Sequence, residues 1–198
     1  MASQNEEYGD LDLQSLIDPP QNLQRLYVFG RLENLPTWIP KLRNLVRLGL
    51  LWSRLPEDPL PILKSLSKLE ELFLYEIYEG DEMHFQEGWF TKLKHLKLQN
   101  MPHLKTLKID KKALPCLEQL ELGPCPQMLQ PTGDIHNLVS LKCLYHYKMP
   151  SQFVENIRTQ LKENIRVYVS DEWHVNAVEL LVSYAVTAVD FRRDSPKS

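Results

Sequence analysis

The spacing Leu-x-x-Leu-x-Leu occurs as Leu69, Leu72 and Leu74, again as Leu93, Leu96 and Leu98, and again as Leu117, Leu120 and Leu122, each copy 24 residues after the last. One copy of such a unit cannot enclose its own leucines, so the chain gains a core only by stacking neighbouring copies into a solenoid. Stacking sets short strands side by side. The residues between the leucines then face outward by the two-residue alternation of a strand. That arrangement suits holding another macromolecule better than it suits chemistry.

Period and spacing together are those of a leucine-rich repeat. Earlier units centre on Leu23, Leu26 and Val28 and, 22 residues on, Leu45, Leu48 and Leu50; a weaker sixth is Leu141, Leu144 and His146. The expected fold is an α/β repeat: an irregular horseshoe arc with a parallel concave sheet of about six strands and a C-terminal helical cap. Residues 1–22 read as an N-terminal segment and partial cap, 23–150 as repeats, 151–170 as the C-terminal cap and 171–198 as an apolar helical tail of unknown role.

Local signals fill in this frame. Between strands, Leu60 to Leu69 is expected to form a helical turn or two, and Leu104, Leu107 and Ile109 an additional short strand on the return side. The acid-rich stretch YEGDEMHFQEG, with Glu79, Asp81 and Glu82, lacks an EF-hand pattern and reads as a mobile exposed insertion. Phe153, Ile157 and Leu161 stand at four-residue steps with Ser151 as N-cap, an amphipathic closing helix before a last strand at 166–170. The 15-residue apolar run in 171–198 falls short of a bilayer span and suits a helix packed on the solenoid or on a partner.

Formal net charge is −3, which gives no reason to expect nucleic acid or membrane as partner. Charge is uneven along the chain: 57–87 holds nine acids and two lysines, 92–112 seven lysines and one aspartate. Mutual neutralisation of two outer faces accounts for this, with a partner site for an acidic ligand as the other reading and nucleic acid bound through Lys92, Lys94, Lys97, Lys105 and Lys108 as a minor one. Three cysteines, without paired spacing, and an N-terminus lacking a secretory signal pattern fit a reducing, cytoplasmic setting. Cys125 takes the inward position where such repeats carry Asn or Cys, and reads as a buried structural thiol.

The outward strand positions form two columns: Tyr27, Gly49, Phe73, Lys97, Glu121 and Tyr145, then Phe29, Leu51, Tyr75, Gln99, Gly123 and Tyr147. Six of these twelve positions are aromatic against 9% for the whole chain, and Trp52 lies beside them. Rigid aromatics with a polar handle dominate binding hot spots. The candidate partner-binding residues are Tyr27, Phe29, Leu51, Trp52, Phe73, Tyr75, Lys97, Tyr145 and Tyr147. Strands also favour aromatics for cross-strand stacking alone, and both readings stand at this level.

No phosphate loop, HExxH, CxxC or GxSxG motif occurs, and the six histidines stand apart from Cys or carboxylate at metal-ligand spacing. Neither catalytic residues nor a cofactor or metal are expected.

Several stretches resemble the C-terminal leucine-rich-repeat region of plant NLR disease-resistance proteins, particularly the coiled-coil class: PPQNLQRLYVFGRLENLPTWIPKLRNL, DPLPILKSLSKLEELFL, the Tyr78-Glu-Gly80 loop leading to GWFTKLKHLKL, and ALPCLEQLELGPCPQM. The likeness runs from about Leu11 to Arg166 and includes the order of the irregular repeats. It implies a non-enzymatic segment of an intracellular immune receptor whose partners are proteins: a pathogen effector, a host target or other receptor domains. No small-molecule substrate is implied. Signalling in that family uses a coiled-coil and a nucleotide-binding domain, neither of which this sequence carries, so ATP or ADP binding is not expected here. A substrate-binding adaptor of a ubiquitin ligase and a truncated non-signalling decoy are the alternatives.

Overall fold

The computed structural model describes Pro20, residues 22–130 and residues 135–170. Among the described residues nine strands form: β1 (Arg25–Phe29), β2 (Arg47–Leu51), β3 (Glu71–Tyr75), β4 (Glu82–Phe85), β5 (His95–Gln99), β6 (Thr106–Ile109), β7 (Gln119–Leu122), β8 (Cys143–Tyr147) and β9 (Arg166–Ser170). Two helices accompany them, α1 (Leu60–Leu63) and α2 (Ser151–Gln160), with 3-10 turns at Ile39–Lys41 and Ile135–Asn137. The expected cap in 1–22, apart from Pro20 and Asn22, and the tail 171–198 lie outside the described residues.

Seven strands make one parallel sheet in the order β1-β2-β3-β5-β7-β8-β9. The register aligns Leu26, Leu48, Leu72, Leu96, Leu120, Leu144 and Val167 in one row, and Val28, Leu50, Leu74, Leu98, Leu122, His146 and Val169 in the next. From Leu48 to Leu144 the first row is entirely inaccessible to solvent. From Leu48 to Leu144 each leucine of this row thus packs on the copies before and behind it, which is why no repeat could keep this conformation alone.

The sheet has seven strands among the described residues, six from the repeats and β9 at 166–170. Val167 and Val169 in β9 repeat the inward alternation of the leucines, so β9 continues both rows instead of closing them. These valines are 36% and 58% exposed, because β9 is the outermost strand described. α2 returns the chain from β8 to β9 and buries Phe153 and Ile157, the spacing expected of it. Its N-cap is Pro150 rather than Ser151, with no side-chain cap bond.

A larger correction concerns the acid-rich segment expected to be a mobile insertion. Its core is β4, paired in parallel with β6 so that Met83 faces Leu107 and Phe85 faces Ile109. Met83 and Phe85 are fully buried while Glu82 stays exposed. The expected return-side strand near Leu107 is therefore one half of a second, two-stranded sheet. Of the stretch from Leu60 to Leu69, four residues are helical.

The chain leaves β1, β2, β3, β5 and β8 through a left-handed corner, at Gly30 (φ 122°), Trp52 (58°), Glu76 (49°), Asn100 (52°) and Lys148 (44°). Corner amides continue the ladder, as in Trp52 N–H donating to the Tyr75 carbonyl at 2.8 Å and Glu76 N–H to that of Gln99 at 2.9 Å. One residue past these corners Ser53, Ile77 and Met101 are buried, as is Cys125 in the next rung, whereas Arg31 is exposed, since an unpaired guanidinium in the core would be costly. Burial pushes the Cys125 thiol up to about 12, so it stays protonated and unreactive.

Outer-face charges pair from rung to rung: Lys94 with Glu70 at 2.8 Å, Lys105 with Asp81 at 3.4 Å, Lys108 with Glu82 at 2.7 Å, Lys112 with Glu87 at 3.2 Å and Lys142 with Glu118 at 2.8 Å. The acidic and basic segments neutralise one another because a step of roughly one repeat places them side by side. Each pair is solvent-screened and individually weak.

Leu72→Ala is expected to lower the unfolding free energy by about 2–5 kcal/mol in urea titration, from lost transfer energy and the cavity left behind. Leu72→Asp adds an uncompensated buried charge and should abolish the circular-dichroism unfolding transition altogether; a cooperative Leu72→Asp protein would contradict this register. His146 gives a second test. It is 3% exposed, its Nε2 has no hydrogen-bond partner, and burial with the nearby Arg158 holds its pKa below the usual histidine value. The folded form therefore binds the proton less tightly than the unfolded one, so stability is present above about pH 6.5 and is lost as pH falls toward the folded value. Thermal midpoints at about pH 7.5 and about pH 5.5 should differ more in the wild type than in His146→Leu.

Candidate functional site

Period-two alternation turns three columns of side chains to the face opposite the leucines. The first of the two expected columns gains Tyr168 from β9. A third, not singled out from the sequence, comprises Arg25, Arg47, Glu71, His95, Gln119, Cys143 and Arg166. It was legible in principle, because each member immediately precedes an inward residue. Charged and polar side chains there carry no compositional bias to attract notice.

The structure gathers most of the predicted aromatics over β1, β2 and β3. Phe29, Trp52 and Tyr75 form a continuous ledge, with ring centroids 6.1 Å apart for the first pair and 5.3 Å for the second, the latter edge-to-face. Tyr27 approaches Phe73 at 6.4 Å. Gly49, between them in register, makes this approach possible: a methyl group there would sit 2.3 Å from Tyr27 Cδ1. All five aromatics are half-buried, each keeping part of its surface open. Offset and tilted pairs of this kind hold rings rigidly at little entropic cost.

Leu51 departs from expectation. It lies in register between Phe29 and Tyr75 and is only 2% exposed. Its larger aromatic neighbours leave it no accessible surface, so it supports the ledge rather than offering contact area.

Tyr145 and Tyr147 form a separate group on β8, three rungs from β3. Tyr145 stacks on Tyr168 of β9 with centroids 4.6 Å apart and an interplanar angle of 13°, and the Lys148 ammonium lies 5.0 Å from the Tyr147 ring. Burial, with Cys143, Tyr168 and Glu121 nearby, raises the Tyr145 phenol above its usual range, keeping it a hydrogen-bond donor at neutral pH. Tyr168 escaped notice because its strand carries valines where the others carry leucines.

Between the groups stands Lys97, whose ammonium lies 4.9 Å from the Phe73 ring and 2.9 Å from Glu121 Oε1. Gln119 Nε2 donates to the same oxygen at 2.7 Å. Arg47 meets Glu71 at 2.7 Å. Past the ledge, Glu76 accepts from Arg54 Nε through Oε1 and from Asn100 Nδ2 through Oε2, both at 2.8 Å. Lys94, Lys97, Lys105 and Lys108 each hold a carboxylate, so the basic segment is not an open cationic track.

On the convex side His84 Nε2 lies 2.8 Å from Asp110 Oδ1, a pairing across 26 residues that the sequence did not suggest, and it lowers the Asp110 pKa. Among the described residues no cluster of His, Cys, Asp or Glu could hold a metal ion, and no helix is long and apolar enough to cross a membrane. The arrangement is a shaped, rigid surface.

A family model described as a leucine-rich repeat region matches residues 2–171. Among curated Arabidopsis thaliana proteins, disease resistance protein RPM1 is 32% identical over 153 residues, covering 77% of this chain and 16% of that protein. Probable disease resistance protein RF45 is 32% identical over 110 residues, 55% of this chain and 11% of its own length. Disease resistance protein RPH8A is 26% identical over 137 residues, 69% and 15% respectively. The chain thus spans about a sixth or less of the length of these relatives. Repeat register, parallel sheet and these matches agree: the chain belongs to the leucine-rich repeat family, in the form that plant NLR disease-resistance proteins carry as their repeat region.

Proposed function

We propose that this chain is a non-enzymatic protein-recognition segment of plant innate immunity, acting in the cytoplasm. Its partner is a pathogen effector, a host protein that an effector targets, or another domain of a receptor. The carrying observation is the aromatic group on β1–β3: five half-buried rings on a rigid parallel sheet, bordered by salt-bridged side chains. An apolar centre within a polar rim is the anatomy of a protein-binding patch. The disease-resistance relatives supply the biological setting.

Phe73 and Tyr75 are the residues to test, since both contribute to the ring group without belonging to the leucine rows. The double variant Phe73→Ala with Tyr75→Ala should lose proteins that wild-type chain captures from plant leaf extract, by about tenfold or more in quantitative mass spectrometry. Its thermal midpoint should stay within a few degrees of wild type, because both side chains lie on the solvent side of the sheet. Undiminished capture would place the binding surface elsewhere.

A further inference from the structure

Two features of the aromatic ledge go beyond a general recognition role and point to the chemistry of what it meets. The first is its charge balance. Arg47, Arg54 and Lys97 flank the ledge, and each is held by a carboxylate of a neighbouring strand or corner: Glu71, Glu76 and Glu121 respectively. Glu76 has both oxygens engaged, one by Arg54 and the other by Asn100. A charged ligand landing here would have to break an existing pair before making its own, and would gain little from the exchange. Arg25 and Arg31 are exposed on the first rung.

The second feature is the backbone at Trp52. The left-handed corner is filled elsewhere by Gly30 and Asn100, residue types that tolerate positive φ, and by the unbranched Glu76 and Lys148. Trp52 sits at φ 58°, a region uncommon for a bulky residue. Backbone preference alone would select glycine at this position. The indole is nevertheless directed into the middle of the ledge, between Phe29 and Tyr75. Phe90 and Leu114 take the same backbone region but are buried in the core, whereas Trp52 keeps part of its surface open among the rings, which is the pattern of a functional anchor.

We infer that the occupant of this ledge is an uncharged, apolar protein segment that buries Trp52 at the centre of its contact, not an acidic or basic one. This rests on the recognition reading above, and deepens it by fixing the partner's chemistry. Binding is then driven by area removed from water, so its strength follows the number of aromatic and aliphatic side chains presented and depends little on ionic strength.

The test uses the full chain and a random peptide library displayed on phage. Selected peptides should be rich in Trp, Phe, Leu and Met with net charge near zero. Their dissociation constants should change less than about threefold between about 50 mM and about 500 mM NaCl. Trp52→Gly and Trp52→Asn should each weaken binding by about tenfold or more. Both variants should keep the wild-type unfolding midpoint, since relief of the corner offsets the lost ring contacts. Three results would overturn the inference: charged peptides with steep salt dependence, Trp52 variants that bind like wild type, or Trp52 variants that lose cooperative unfolding. If such peptides still fail to bind Phe73→Ala with Tyr75→Ala, the concave-face reading survives and only the partner chemistry is wrong. If that double variant binds every selected peptide normally, or no peptide is selected, both fall.

Discussion

Everything in this fold depends on burial that no repeat can achieve alone. A strand five residues long offers two inward side chains, and these leave water only when the neighbouring strand lies alongside with the same residues at the same height. Hydrogen bonds between strands fix that height, and the leucines make it worth keeping. The row from Leu48 to Leu144 is dry because both conditions hold at every step. Where one condition lapses the structure changes character: at β9 the inward valines lie partly in water, and at β8 a histidine stands in the second row.

The outer charges follow from the same constraint. Lysines of 92–112 sit next to acids of 57–87 because the leucine spacing has already placed those segments in adjacent rungs. Their pairing is a product of register and reinforces it only slightly. The concave face obeys the same rule. Tyr27 and Phe73 stand two strands apart in the sheet, and they approach one another only because Gly49 intervenes without a side chain.

The parts of this architecture that could be read directly were those governed by period. The leucine rows, the parallel order and the two outward columns come from counting, and the coordinates place them in the expected register. Features set by local competition were harder. The segment around Met83 carries so many acids that its alternation of buried residues was masked, although Met83 and Phe85 differ from the leucine pattern only in residue type. Leu51 was placed on the correct face, yet neighbouring ring sizes decide its exposure, and no spacing rule contains them. Tyr168 and the pairing of His84 with Asp110 were missed for a related reason: each depends on which segments become neighbours on returning from a strand, where the sequence has no regular repeat.

The small sheet of β4 and β6 has a geometric consequence. In a stack of this kind, bending arises when the return side of each unit is thicker than its strand side, as a helix of about 10 Å diameter is against a strand spacing of about 4.8 Å. Behind β3 and β5 the return side is itself made of paired strands, so both sides advance by the same increment. Those units therefore add length without adding bend. Phe73 and Tyr75 stand on β3, so part of the ring group lies where strands rather than helices make up the return side of the stack.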